Sequence, residues 1–511
     1  MHRNKAYSYN HNAHLKNNMK AIKMNYTKFF KAGLGIFLTI LFFAFCKKKE
    51  GGPAPELTVT PTTITIPAEG GTYDLVISTN ADWSITNPAS AWLQLSKSNG
   101  SSGSTTIKLT AGQNAAGSVS RSGILTINSS NGQARRVTVS QPPTIYPSYN
   151  LSPLPADATG MSSTAQQLAA KFKLGWNIGN TMEAPGGETG WGNPAITEAY
   201  VKFVKQQGFT AIRLPCAWDW HHLADPAKAK IDPAWLNRVK EIVGYCVNNG
   251  LYVLLNIHWD GGWLENNCTP AKKDSVNAKQ KAYWEQIATA LRDFDEHLMF
   301  ASANEPDVQN QAQMEVLHSY HQTFVDAVRS TGGKNSYRVL VVQGPSTSIE
   351  KSNDWMNMPT DVVPNKLMAE VHFYTPSQFC ILLDGDASWG KMFYYWGAGN
   401  HSTIEPDRNA TWGEESEVDK SFALAKKKFI DKGIPVILGE YGAYRRNDNT
   451  YKPKDLEKHN NSVDYWITYV TKKAIANGLI PFWWDTGGAL DRRLNTVKDQ
   501  RTIDALIEGS K

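Results

Sequence analysis

Short apolar runs in the second two-thirds of this chain end, one after another, on side chains able to do chemistry. Asn177 and Asn180 close the run Leu174–Ile178. Arg213 lies in Thr210–Leu214, and His258 follows Tyr252–Ile257. Asn304 and Glu305 follow Leu298–Ala303, His372 and Tyr374 follow Leu367–Val371, Glu440 follows Val436–Leu438, and Trp484-Asp485 ends Leu479–Trp484. A single polar residue at a strand end is ordinarily a helix cap or a loop residue, but a series of them is not produced by capping. Two of these residues are glutamates. One carboxyl can deliver a proton while its ionised partner acts as nucleophile, and a cation such as Arg213 close to that partner favours its charged form. No His-x-x-x-His run accompanies them, so a zinc centre is not indicated and no metal or cofactor is expected.

Such residues need a frame. With Arg338–Val342 there are eight apolar runs, and helical stretches lie between most of them, among them Ala195–Gln206, Pro233–Asn249, Ala278–Phe294 and Met314–Ser330. Eight strands alternating with helices over some 350 residues fit a (β/α)8 barrel, whose working groups sit at the C-terminal ends of the strands. The doubly wound alternative lacks support, since no Gly-x-Gly-x-x-Gly follows any of the runs.

At 511 residues, with 41% hydrophobic and 20% charged residues, the chain has room for two or three globular domains. The net charge of +6 invites a nucleic-acid reading that does not survive inspection. Seven basic residues and no acidic one precede Cys46; without them 46 Lys and Arg face 47 Asp and Glu, a charge near −1. Nucleic acid is therefore not an expected partner. The basic stretch leads into an uncharged apolar run, residues 32–45, too short for the ~20 residues of a membrane-spanning helix and suited to a signal-peptide core. Residues 1–45 are read as a signal peptide. Cys46 resembles the lipidated cysteine of a bacterial lipoprotein, although Phe43 and Phe45 depart from the usual pattern. That resemblance implies an exported lipoprotein on the outer membrane facing the cell surface, with periplasmic or secreted placement as alternatives, and a membrane contact through a lipid anchor only. Residues 46–56 form a polar tether. Of the other cysteines, Cys216 and Cys246 read as small buried hydrophobes, while Cys268 and Cys380 lie in loops where a disulfide is open.

Residues 57–142 have another texture: Thr, Ser and Gly with short period-two strands such as Thr62–Ile66, Tyr73–Ile77 and Gly123–Ile127, separated by Gly70-Gly71, Asn99-Gly100 and Asn131-Gly132. This is the pattern of a small immunoglobulin-like β-sandwich. Asp82-Trp83-Ser84-Ile85, Trp92-Leu93 and the closing Val137-Thr138-Val139-Ser140-Gln141 resemble the BACON domain. Trp83 and Trp92 then either anchor a spacer's core or offer faces to sugar; the spacer is the simpler reading. A linker at 143–155 leads to the barrel domain, residues 156–511.

Within that domain Ser302-Ala303-Asn304-Glu305-Pro306 resembles the Asn-Glu-Pro signature of glycosidases with an acid/base after strand four, and Pro435-Val436-Ile437-Leu438-Gly439-Glu440-Tyr441-Gly442 resembles their strand-seven nucleophile segment. Asn177–Glu183, Ile212–Pro215, Asn256–His258, His372–Tyr374 and Phe482–Asp485 arrive in order. Together they resemble glycoside hydrolase family 5, and its subfamily 4 of cellulases and xyloglucanases in particular. The resemblance implies a retaining endo-β-1,4-glucanase, acting on xyloglucan foremost, or on mixed-linkage glucan or soluble cellulose. An endo-mannanase or xylanase, or a carbohydrate-binding surface protein without activity, are the alternatives. It further implies Glu305 as acid/base and Glu440 as nucleophile, about 5–5.5 Å apart as retention requires, with Glu305 held at the higher pKa. Asn304 is implied to bind the sugar 2-hydroxyl, with Arg213 and Tyr374 on Glu440. His258 and His372 would orient hydroxyls and the acid. Trp484 (less readily Trp483) would be the sugar platform, and Asn180 and Glu183 would touch sugars on the non-reducing side. Trp259 stands where many relatives carry a second His; with Trp263 it puts aromatics at the cleft edge. Trp389 and Trp396 either extend the platform or pack their loop. The partner is a β-glucan chain, and the protein is expected to act as a monomer.

Overall fold

The computed structural model describes residues 54–511 except 117, 383–385, 388–389 and 448–449. The signal segment, Cys46 and most of the tether lie outside the described residues, as does Trp389.

Residues 57–141 form two sheets face to face. One runs in the order Leu57–Thr60, Gly71–Thr79, Gly103–Ala111, Leu93–Leu95; the other in the order Thr63–Thr65, Ala134–Gln141, Arg121–Ser129, Trp83–Thr86, Asn99–Gly100. Alternation decides the packing: Leu75, Ile77, Ile107, Leu109, Leu125, Ile127, Val137 and Val139 point inward, while Val76, Lys108 and Thr138 between them face water. Trp83 is buried in this core, and Trp92 is partly buried with the Arg121 guanidinium 4.8 Å over its ring.

The larger domain is a closed barrel of eight parallel strands: β1 (Gly175–Ile178), β2 (Ala211–Leu214), β3 (Tyr252–Asn256), β4 (Leu298–Ala301), β5 (Leu340–Gln343), β6 (Leu367–Phe373), β7 (Val436–Tyr441) and β8 (Leu479–Asp485). A helix follows each strand, from Glu198–Gln206 after β1 to Gln500–Gly509 after β8. Because helices cover the outside and side chains fill the inside, the strands are buried on both faces and read as nearly continuous apolar runs. Caps set several helix starts: Thr197 and Asp232 accept backbone N–H groups of Tyr200 and Ala234. The helix expected at Ala278–Phe294 begins a turn earlier, as Lys273–Leu291.

The interior is layered. Its floor is apolar: Ala211, Leu254, Met299, Ala301, Val341, Met368, Ile437, Ile480 and Phe482 pack on Ala165, Leu168 and Phe172, which come from the short helix Ala165–Ala169 and the turn after it. Phe482 fills the space beside Gly175, where a Cβ would lie 2.1 Å from its ring. Above that floor the inward positions are polar.

All four cysteines in the described residues are buried and free, so the open Cys268–Cys380 disulfide is not formed. Cys268 turns its thiol toward the Leu264 carbonyl in the loop after β3, whereas Cys380 ends the short helix Ser377–Cys380 after β6. Each is a packed hydrophobe of its own segment.

Candidate active site

Two residues along from the floor, the same strands turn polar groups into the barrel: Asn177, Arg213, Asn256, Gln343 and Glu370, all fully buried. Arg213 is the hub. Its Nη1 donates to Glu440 Oε1 at 2.8 Å and Asn177 Oδ1 at 3.0 Å, its Nη2 donates to Asn304 Oδ1 at 2.7 Å, and its Nε lies 2.9 Å from Glu370 Oε1. A planar guanidinium with fixed donors can hold the ends of four strands, β1, β4, β6 and β7, in register at once.

Glu440 owes its direction to a β-bulge. Val371 pairs with Leu438, but His372 pairs with Glu440, so one residue of β7 is skipped at Gly439. The bulge re-aims the carboxylate toward the barrel axis. Gly439 is required there because a Cβ would stand 2.0 Å from Glu370 Oε1. The second oxygen of Glu440 accepts from Tyr374 Oη at 3.0 Å.

His372 and Tyr374 follow Glu370 at period two on the inward face of β6. The His372 Nδ1 lies 2.7 Å from Glu305 Oε1 and 3.8 Å from Glu440 Oε2, and its Nε2 lies 3.2 Å from Glu370 Oε1. One carboxylate oxygen of Glu305, one of Glu440 and a His372 nitrogen lie within 4.8 Å of one another. The two glutamates therefore face each other across the barrel mouth.

The electrostatics follow from these contacts. Burial pushes His372 down, but Glu440, Glu305 and Glu370 outweigh it and raise the imidazole to about 10. At neutral pH both its nitrogens carry protons, Nδ1 facing Glu305 and Nε2 facing Glu370. Burial pushes Glu305 up; the His372 hydrogen bond and charge, with Arg213, outweigh it and hold the carboxyl below the usual range. Glu440 stands above its usual range because burial and the Glu305 charge outweigh His372 and Arg213. The order read from the sequence, Glu305 above Glu440, is thus reversed. The cause is the placement of His372, whose ring nitrogen sits closer to Glu305. Burial, with Arg213 and His372 adding to it, keeps His258 neutral. Its Nδ1 accepts from Asn256 Nδ2 at 3.3 Å, which leaves Nε2 as a donor.

The aromatic residues divide cleanly. Trp484 is half-buried, with its ring parallel to that of His258 at a 5.7 Å centroid distance, while Trp483 packs in the barrel's outer core. Trp259 is half-buried and meets Trp220 edge to face at 5.1 Å. Trp396 is fully buried and donates to the Gly413 carbonyl, so it packs its loop and forms no platform.

Glu183 does not face the groove. Its oxygens accept the backbone N–H groups of Asn180 and Thr181 and it is buried, so it fixes the turn after β1, where Asn180 takes a left-handed conformation (φ 58°). Burial raises the Glu183 carboxyl to about 7. The half-buried Asn180 keeps its place at the end of β1.

Three participants went unread in the sequence. Gln343 donates to Glu370 at 2.6 Å, Glu370 backs both Arg213 and His372, and Glu265 contacts the backbone of Glu305. Period two on β6 (Glu370, His372, Tyr374) is the signal that could have found Glu370; Glu265 lies in an irregular loop and left none.

The Cellulase family (glycosyl hydrolase family 5) matches residues 177–489, and the viral BACON domain matches residues 56–143. A xyloglucan-specific endo-β-1,4-glucanase of Bacteroides ovatus is 33% identical over 497 residues, covering 93% of this chain and 95% of that protein. Endoglucanase A of Paenibacillus barcinonensis is 33% identical over 387 residues, covering 69% of this chain and 92% of its own. Among solved structures, the Bacteroides ovatus GH5 xyloglucanase with a XXXG heptasaccharide superposes with a TM-score of 0.66 at 31% identity, covering 89% of this chain and 100% of that one. A broad-specificity GH5-4 endoglucanase of Bacteroides salanitronis gives 0.61 at 34% identity, covering 68% of this chain and 96% of its own. With a barrel of eight strands, its motifs in order and a family match over more than half its length, this chain belongs to glycosyl hydrolase family 5.

Proposed function

We propose that this glycoside hydrolase is a retaining endo-β-1,4-glucanase with xyloglucan as its foremost substrate, using Glu305 as acid/base and Glu440 as nucleophile. The observation that carries the reading is the approach of the two carboxyl groups, oxygen to oxygen within 4.8 Å across the mouth. That spacing suits direct attack on the anomeric carbon and falls short of the ~6.5–9.5 Å by which inverting pairs make room for sugar and water.

In the first step Glu440, held by Arg213 and Tyr374, attacks the anomeric carbon while Glu305 gives its proton to the leaving oxygen. In the second, Glu305 takes a proton from water, which displaces Glu440 from the sugar. The Glu305 side chain is 44% exposed. A sugar lying over it removes the water that helps hold its charge, which raises its pKa toward the value an acid needs. Arg213 holds Asn304 by its Oδ1 and Glu265 bonds its amide, leaving one amide N–H to meet a 2-hydroxyl. Trp484 and His258 supply a flat wall and a donor for the same sugar.

The endo-glucanase names of the relatives favour a β-1,4-glucan, and those acting on xyloglucan favour a decorated one. A cavity of about 520 Å³ adjoins Tyr374 and Trp484 and runs between the loops after β6, β7 and β8, past Ile381, Tyr444 and Thr486. It has the room a branched chain needs beside the bond being cut. Export as a lipoprotein through Cys46 is part of the same proposal and rests on the signal-like sequence before it.

The test is reducing-end release from xyloglucan, barley β-glucan, mannan and xylan by the wild type, Glu305→Gln and Glu440→Gln. Xyloglucan should be cleaved fastest, and each variant should lose ~10³-fold or more. Mannan or xylan as best substrate would replace the substrate assignment, and undiminished turnover in either variant would remove that glutamate from the mechanism.

A further inference from the structure

Glu265 takes no part in the displacement described above, yet it holds the segment that carries the acid. It opens the one-turn element Glu265–Asn267 in the loop after β3 and is 4% exposed. Its Oε1 accepts the backbone N–H of Glu305 at 2.5 Å, and its own carbonyl accepts the backbone N–H of Asp307 at 2.9 Å. Its carboxyl also bonds the side chain of Asn304. Pro306, between Glu305 and Asp307, has no N–H to give. One residue of the β3 loop thus clamps the turn after β4 on both sides of the acid.

We infer that Glu265 is the positioning residue for Glu305, setting the height and direction of its carboxyl above the cleavage point through the Glu305 backbone amide. The inference rests on Glu305 being the acid. A proton donor must lie within hydrogen-bond reach of its target, and a displacement of about 1 Å costs on the order of 10²-fold. Loop backbone drifts unless something pins it; here the pin is a buried carboxyl. Burial, with Glu305 and Glu440 adding to it against the Glu305 amide bond, raises that carboxyl to about 8. At neutral pH it therefore holds the loop without adding a further negative charge beside the pair.

Leaving-group dependence separates this role from a merely structural one. A poor leaving group needs the acid, whereas an acidic phenol departs almost without it. The measurement is kcat/KM for xyloglucan and for 2,4-dinitrophenyl β-cellobioside with Glu265→Ala, Glu265→Gln and Glu305→Ala, each checked for folding by near-ultraviolet circular dichroism. Glu265→Ala should lose ~100-fold on the polysaccharide and no more than ~5-fold on the aryl glycoside. Glu265→Gln, whose amide oxygen still accepts the N–H, should recover most of the loss and keep a smaller asymmetry in the same direction. Asn304 stays in place through Arg213, so sugar binding should not blur the contrast. Equal losses on the two substrates, or no loss, would overturn the inference. Should Glu265→Ala not fold, equal effects of Glu265→Gln on both substrates would overturn it as well. Glu305→Ala fixes the frame: if that variant too shows no leaving-group dependence, it is the assignment of the acid that fails.

Discussion

The floor and the mouth of the barrel are built from the same strands, in the same alternation, with opposite contents. Ala211, Leu254, Val341 and Met368 close the floor against Leu168 and Phe172; two residues further on, Arg213, Asn256, Gln343 and Glu370 take the equivalent inward positions at the mouth. The floor gains stability by removing apolar surface from water, ~1.5–3 kcal/mol for each large side chain. The mouth gains little, because desolvating Arg213, Glu370, His372 and Glu440 offsets much of their mutual attraction. What the mouth gains instead is geometry: Arg213, Glu370, His372 and Glu440 are each held by at least two polar partners, so the nucleophile need not reorganise during the reaction. One alternating strand thus serves both ends, and the fold confines its costly polar layer to the end where the substrate arrives.

The largest effect is expected from Arg213→Met, which leaves Glu370, Glu440 and Glu305 with His372 as the one cation among them. Activity on xyloglucan should fall by ~10²–10³-fold, and denaturant unfolding should show a loss of ~3–5 kcal/mol from the uncompensated buried charge. A variant that kept its activity would contradict the role of the hub.

Phe172→Ala at the floor should be similarly destabilising, by ~3–5 kcal/mol, with kcat/KM unchanged within a factor of two. Thermal melting and steady-state assays on one preparation decide it. An activity loss beyond the fraction unfolded would mean that floor and mouth are not separable.

The smallest effect is a pH dependence that belongs to the mouth alone. The His372 pKa rises from the ordinary 6.5 to about 10 on folding. Its contribution to stability is therefore complete below about pH 6.5 and is lost as pH climbs through 10. Melting temperature should decline across that window in the wild type and in Phe172→Ala alike, and the decline should flatten in His372→Gln. An equal slope in His372→Gln would assign the dependence to other groups.

Much of the mouth was legible in the sequence because barrel strands are short and end in the site: Arg213, Glu305, His372, Tyr374 and Glu440 each stand beside a readable apolar run. Glu370 was passed over since a charge inside an otherwise apolar strand looks like an interruption, although it shares the face of His372 and Tyr374. Glu265 was invisible because loops have no period. Glu183, expected from its motif to touch sugar, is buried with its oxygens closing a turn, a role that backbone geometry rather than spacing sets. The pKa order of the two glutamates depends on which one His372 approaches, and that is set by side-chain geometry no spacing encodes.

The most direct test of the two-carboxylate account is trapping the glycosyl–enzyme with a 2-deoxy-2-fluoro-β-cellotriosyl fluoride and mapping the labelled peptide by mass spectrometry. The account predicts a single adduct, on Glu440, forming as activity disappears. Label on another residue, or inactivation without any covalent sugar, would contradict it.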